Sequence, residues 1–101
     1  MAARTIVAMP RFLIERRFHV SEDQMPGVSR RSKQVAIDHY PEVVWEHSHV
    51  VVDDSGAVTT FCVYGAPDEA MLRRHADTLG QHDVVAVYEI AGDVTPADFP
   101  L

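Results

Sequence analysis

Hydrophobic and polar residues alternate along this chain with two different periods, and the order of those segments predicts a fold. In RFLIERRF, residues 11–18, Phe12, Ile14 and Phe18 fall on one side and charged residues fall mainly on the other. That alternation is typical of a strand whose second face is partly polar. Residues 43–52, 58–64 and 83–90 are rich in β-branched and aromatic residues, which favours three further strands.

Two segments have the spacing of an amphipathic helix. The first helix is predicted at about 28–39, where an apolar stripe winds at about 100° per residue. Pro26 and Gly27 predict that this helix does not begin earlier. Tyr40-Pro41 predicts its end, because the residue before a proline avoids the helical conformation. The stripe consists of Val28, Ser32, Val35, Ala36 and His39. The second helix falls within 66–80, with Pro67 expected in its first turn and Gly80 placed to end it.

The resulting order of strand, helix, strand, strand, helix, strand predicts an α+β fold, a ferredoxin-like βαββαβ sandwich. Two helices on one face of a sheet leave the other face bare, and here that face carries apolar residues. We therefore expect a homodimer of the dimeric α/β-barrel type, joined sheet against sheet. The predicted organisation is an N-terminal extension at 1–9, a ferredoxin-like domain at 10–92 and a C-terminal tail at 93–101.

Composition and charge exclude several classes of function. A net charge of −6 has the wrong sign for a protein that neutralises phosphates, so we expect no nucleic-acid partner. Cys62 is the only cysteine, which excludes an intrachain disulfide and a cysteine-based zinc cluster and indicates a reduced, cytoplasmic location. The apolar stretch in MAARTIVAMP, before Pro10, is too short for the core of a signal peptide or for a membrane span. The sequence has no glycine-rich phosphate loop, so we expect no nucleotide cofactor.

Histidines are the main candidates for chemistry. His47 and His49 are two residues apart in a predicted strand, so both imidazoles point the same way and can share one metal ion or one substrate. His75 falls on the apolar stripe of the second helix and should point toward the sheet. A partly buried imidazole can serve as an acid, a base or a ligand, although many such histidines only form hydrogen bonds in the core.

The register of the predicted hairpin decides which side chains accompany Cys62 and Tyr64. A two-residue turn at Ser55-Gly56 would place His49 opposite Cys62 and His47 opposite Tyr64. A three-residue loop that includes Asp54 would place Ser48 and Glu46 there instead. The sequence leaves both registers open.

The stretch FCVYGAPDEAMLRRHADTLG resembles a family of small ferredoxin-like proteins typified by an actinobacterial nickel-binding protein. The matching positions are Cys62, Ala66, Pro67 and His75, with Trp45 as a looser match. The resemblance implies a dimeric ferredoxin-like fold and, in some members, nickel binding without established catalysis.

Three hypotheses about function follow, of which the third is a structural dimer without a small-molecule site. In the first, His47 and His49, together with His75, bind a divalent transition metal, nickel or alternatively zinc or copper, all of which suit nitrogen-rich sites. In the second, the protein is a cofactor-independent enzyme. His75 would then be its general acid or base and Tyr64 a hydrogen-bond donor, acting on a small hydrophobic ligand such as an aromatic or polyketide-like metabolite in an apolar pocket.

Overall fold

The computed structural model describes residues 9–101, so the predicted N-terminal extension lies outside the described residues except for Met9. The regular elements are β1 (Arg11–Phe18), α1 (Met25–His39), β2 (Val44–Val52), β3 (Val58–Gly65), α2 (Glu69–Leu79) and β4 (His82–Glu89). The tail that follows β4 contains a short 3-10 turn, Pro96–Asp98. No helix in the described part of the chain is long and apolar enough to cross a bilayer.

The four strands form one antiparallel sheet in the order β2-β3-β1-β4. Every second residue of β1 is buried, and Phe12 and Ile14 pack with Leu72 and Ala76 of α2 in the larger core cluster. Phe18 packs with residues of α1 in a second cluster. The predicted α+β architecture, a four-stranded antiparallel sheet with two helices and the strand order of a ferredoxin-like fold, is therefore confirmed.

The first helix begins at Met25, earlier than the proline and glycine predicted. Pro26 lies in the first turn of α1. Backbone N–H groups in the first turn have no acceptor within the helix, so a proline, which has no N–H, is tolerated there. Ser21 and Gln24 cap a short 3-10 turn that leads directly into the helix. The predicted end was correct, because Tyr40 caps α1 immediately before Pro41.

The second helix begins at Glu69, two residues after the proline that was expected to open its first turn. Asp68 is the N-cap residue, and its carboxylate accepts a hydrogen bond of 2.7 Å from the backbone N–H of Met71. Pro67 therefore lies just outside the helix. Leu72, His75 and Leu79 are buried, as the predicted stripe required.

Replacing Asp68 by Ala should lower the free energy of unfolding by about 1 kcal/mol, because one helix N–H loses its acceptor. Asp68→Ser is the matched control, since a serine oxygen can accept the same bond and should keep most of the stability. Urea unfolding of both variants measures the difference. Equal losses in the two variants would show that the cap contributes nothing.

The β2–β3 hairpin has a three-residue loop, Asp54 to Gly56. Val52 pairs with Val58, and the backbone N–H of Asp53 donates a hydrogen bond of 3.1 Å to the backbone oxygen of Ala57 across the loop. Gly56 has a φ of +86°, the left-handed conformation that such a loop requires at its last position and that glycine adopts without strain. The loop therefore selects the second of the two registers that the sequence left open.

A bulge in β2 then modifies that register. Ser48 lies opposite Cys62 as the three-residue loop demands, but pairing shifts between Trp45 and His47, so that Trp45 and not Glu46 lies opposite Tyr64. Trp45 and Ser48 consequently face the helices. His47, opposite Val63, faces away from them.

Candidate functional site

The first candidate site lies on the face of the sheet that the helices leave open. His47 and His49 are exposed on the edge strand β2, and their ring centroids are 5.5 Å apart in an edge-on arrangement. Side chains two residues apart on a strand point the same way, so the two rings can face a shared ligand. We call this pair of imidazoles the half-site.

The open face around this pair is largely apolar. Val63 and Leu13 continue the row that begins at His47, and Phe61 continues the row that begins at His49. At the far edge of the sheet, Tyr88 is 59% exposed. An apolar strip of this kind across a whole sheet is typical of a surface that another molecule covers.

The structure does not bring His75 to this pair. His75 lies on α2 with none of its surface exposed, between the helices and the sheet, whereas His47 and His49 project from the opposite face. The three histidines of the predicted metal set therefore cannot bind one ion within a single chain. Among residues 9–101 no group of three or more histidine, cysteine or acidic side chains is arranged to hold a metal.

His75 is the centre of a buried contact between the two helices. Its Nε2 lies 3.1 Å from the backbone oxygen of Ser32, and because a carbonyl only accepts, Nε2 carries the proton and donates. Its Nδ1 is buried without a partner. Burial lowers the pKa of His75, the nearby Arg16 lowers it further, and the bond to Ser32 opposes both effects without reversing them.

The lowered pKa makes His75 a source of acid sensitivity. The unfolded chain binds a proton at this position more readily than the folded chain, so the stability is complete above about pH 6.5 and falls as the pH drops below that value. His75→Gln, whose amide can still donate to Ser32, should make the free energy of unfolding depend less on pH between about 7.5 and 5. His82, whose pKa burial also lowers, should retain part of the dependence.

Urea unfolding at several pH values checks this prediction, and His39→Gln on the exposed end of α1 is the matched control. A pH dependence that is the same in wild type and His75→Gln would contradict it.

The second candidate site is a buried polar cluster that the sequence reasoning missed. Arg16 is only 4% exposed, and its Nη2 donates to the Sγ of Cys62 and to the hydroxyl of Tyr64, each at 3.2 Å. The hydroxyl of Tyr64 also lies 3.3 Å from that of Ser32. The signal for Arg16 was present in the alternation of β1, since position 16 shares the parity of Phe12, Ile14 and Phe18.

No carboxylate pairs with this arginine among the described residues. Its Nε and Nη1 are buried without hydrogen-bond partners. Desolvation lowers the pKa of Arg16, but its attraction to Tyr64 and Cys62 and the hydrogen bonds to both outweigh it, so the net shift is upward. The guanidinium is therefore a charged group with two unused donors in a poorly hydrated place.

The proposed acid–base pair of the enzyme hypothesis belongs to the same cluster. The rings of Tyr64 and His75 are 5.6 Å apart, yet each forms its hydrogen bonds with other groups, Tyr64 with Arg16 and Ser32 and His75 with the backbone of Ser32. His75 has no exposed surface from which to reach a substrate.

A cleft of about 340 Å³ opens beside the cluster, where α1 leaves the inner side of β2 uncovered. Its walls are mainly apolar and include Ile37, Val43 and Trp45, while Lys33 lies among its lining residues. A second, much smaller space of about 20 Å³ lies between Arg16 and β2. Ser32, Trp45 and Tyr64 line both spaces, so the two adjoin.

Comparison with known proteins identifies a family and a similar solved structure. The model of the family described as nickel responsive protein SCO4226-like matches residues 12–90, from the first buried residue of β1 to the residue after β4. The chain is also similar to the C-terminal domain of the MgtC protein from Mycobacterium tuberculosis, solved in solution, with a TM-score of 0.60 and 14% identity over 88% of this chain and 94% of that one. At that identity the likeness shows the fold alone. No curated protein matches this chain.

Proposed function

Since the chain belongs to the nickel responsive protein SCO4226-like family, we propose that it binds a divalent nickel ion through His47 and His49, in a homodimer that joins two open sheet faces. The family description names a response to nickel, and a protein that responds to a metal needs a place to bind it. The pair on β2 is the best candidate in the described part of the chain.

The observation that carries the proposal is the arrangement of these two rings. Imidazole nitrogens are ligands that nickel accepts readily. Both rings lie on one face of one strand, 5.5 Å apart between centroids, and both are open to solvent. Two imidazoles alone hold a divalent ion weakly, so the site needs ligands from outside the chain or from a second copy.

A second copy supports the proposal in two ways. It would cover the apolar strip formed by Leu13, Phe61 and Val63, and it would bring another set of the same side chains to the same face. Glu15, which lies beside Phe61 on that face, is a carboxylate available to either copy. An interface of this kind should bury well over about 1,000 Å², the area that separates stable association from casual contact.

Calorimetric titration of untagged protein with nickel tests the proposal, with light scattering on the same sample. We expect saturable binding by a dimer. A monomer at micromolar concentration, or a dimer that takes up no nickel, would contradict it.

A further inference from the structure

The buried arginine is the feature that nickel binding does not explain. Arg16 lies on the helix-facing side of β1, whereas His47 and His49 lie on the open face. A guanidinium that is removed from water usually has a carboxylate or a phosphate as its partner, because an unpaired buried charge is costly. Arg16 instead donates hydrogen bonds to a thiol and a phenol, and its Nε and Nη1 have no hydrogen-bond partner.

The space next to this charge has room for one oxygen atom of an anionic group. About 20 Å³ lies against Arg16, Cys62 and Tyr64, which is room for about one water-sized group. A carboxylate oxygen fits such a space, whereas a whole phosphate does not. The hydroxyls of Tyr64 and Ser32, already 3.3 Å apart, lie at its edge as further possible donors.

The adjoining cleft has the properties needed for an apolar body. Its volume of about 340 Å³ reaches the lower end of the range for small-molecule sites. Ile37, Val43 and Trp45 supply apolar walls, and Lys33 adds a second positive charge that would attract an anion. A ligand that fills both spaces is acidic at one end and apolar along the rest of its length.

We propose that the cleft between α1 and β2 binds a small amphipathic monocarboxylate, with its carboxylate against Arg16 and its apolar chain between Trp45 and α1. Binding there needs no metal and uses neither histidine of the nickel site. Loss of nickel binding should therefore leave carboxylate binding intact, and the reverse should also hold.

Titration of the metal-free protein with octanoate at neutral pH tests the site, and fluorescence of Trp45, the only tryptophan, reports binding. Octanol tests the contribution of the charge, and inorganic phosphate and acetate test that of the apolar chain. We expect octanoate to bind about tenfold or more tightly than octanol, because a charge-assisted hydrogen bond is gained. Phosphate and acetate should produce no saturation over the same concentrations.

Two variants and one control separate the site from the fold. Arg16→Met keeps a long apolar stem and removes the charge, so it should lose the preference for octanoate and leave octanol binding unchanged. Arg17→Met, on the other face of the same strand, should behave as wild type. Ala36→Phe, which fills the cleft from α1, should abolish octanoate binding with α1 and the sheet intact by circular dichroism.

Equal affinity of the wild type for octanoate and octanol would overturn the proposal, and so would an absence of saturable octanoate binding. An Arg16→Met protein that still prefers octanoate would do the same. If Arg16→Met does not fold, the Ala36→Phe variant tests the proposal. Octanoate binding that persists in Ala36→Phe would show that the ligand binds outside the cleft. Binding of phosphate as strong as that of octanoate would refute the amphipathic ligand.

Discussion

The double variant His47→Ala/His49→Ala is expected to bind nickel about a hundredfold or more weakly than the wild type, because both imidazoles of the half-site are removed. The fold should be unaffected, since both side chains are exposed on an edge strand. Calorimetry measures the affinity, and circular dichroism checks the fold. Because an imidazole must lose its proton to coordinate a metal, the wild-type affinity should also fall toward acid pH.

His39→Ala is the matched control for the nickel experiment. His39 is an exposed histidine at the end of α1, on the opposite side of the sheet, and its loss should leave the affinity unchanged. Nickel binding that survives in the double variant would place the ligands elsewhere in the chain. Octanoate binding should persist in that variant, which keeps the two proposals separate.

Phe61→Lys is expected to convert the proposed dimer into a monomer and to raise its dissociation constant by about a hundredfold or more, which is typical of the loss of a central aromatic residue from an interface. Phe61 lies at the middle of the open face, between His49 and Glu15 in the pairing of the strands. A lysine there can reach Glu15 in the monomer, but in a dimer it would bury a charge against the apolar strip of the other copy. Light scattering over a dilution series measures the change.

Ile37→Lys is the control for the dimer experiment. Ile37 is 60% exposed on α1, so a charge at this position should leave a sheet-to-sheet dimer intact. A Phe61→Lys protein with the wild-type dissociation constant would show that the open face is not the interface. If the variant is monomeric and still binds nickel with the wild-type affinity, the ligands all come from one chain.

Periodicity predicted the architecture well because burial imposes it on the sequence. The buried residues of β1 and of α2 recur at the spacing that a two-layer packing requires. The family resemblance depended on Cys62 in β3, on Ala66 and Pro67 in the turn that follows it, and on His75 in α2. The start of α1 was wrong because Pro26 was taken as a helix breaker, although in the first turn a proline breaks no helical hydrogen bond.

The candidate sites were harder to predict because they depend on pairing between strands. The separation of His47 and His49 from His75 follows from the hairpin loop and the bulge, and neither leaves a periodic signal in the sequence. Arg16 was missed for a different reason. Its parity placed it inside, but a charged residue in a strand is ordinarily assigned to solvent.

The bulge in β2 also decides which of two arginines the carboxylate of Glu46 can neutralise. If β2 paired without the bulge, the three-residue loop would put Glu46 opposite Tyr64, on the same side of the sheet as Arg16. With it, Glu46 turns outward and forms an ion pair with Arg11, with bonds of 2.6 Å and 3.0 Å. Deletion of Trp45 would move Glu46 into the position opposite Tyr64 and give Arg16 an internal counter-ion, whereas deletion of Glu46 itself would remove the carboxylate. The position of one residue in β2 thus decides whether the charge of Arg16 is neutralised from within the chain, while the buried residues of β1 and β3 keep their places.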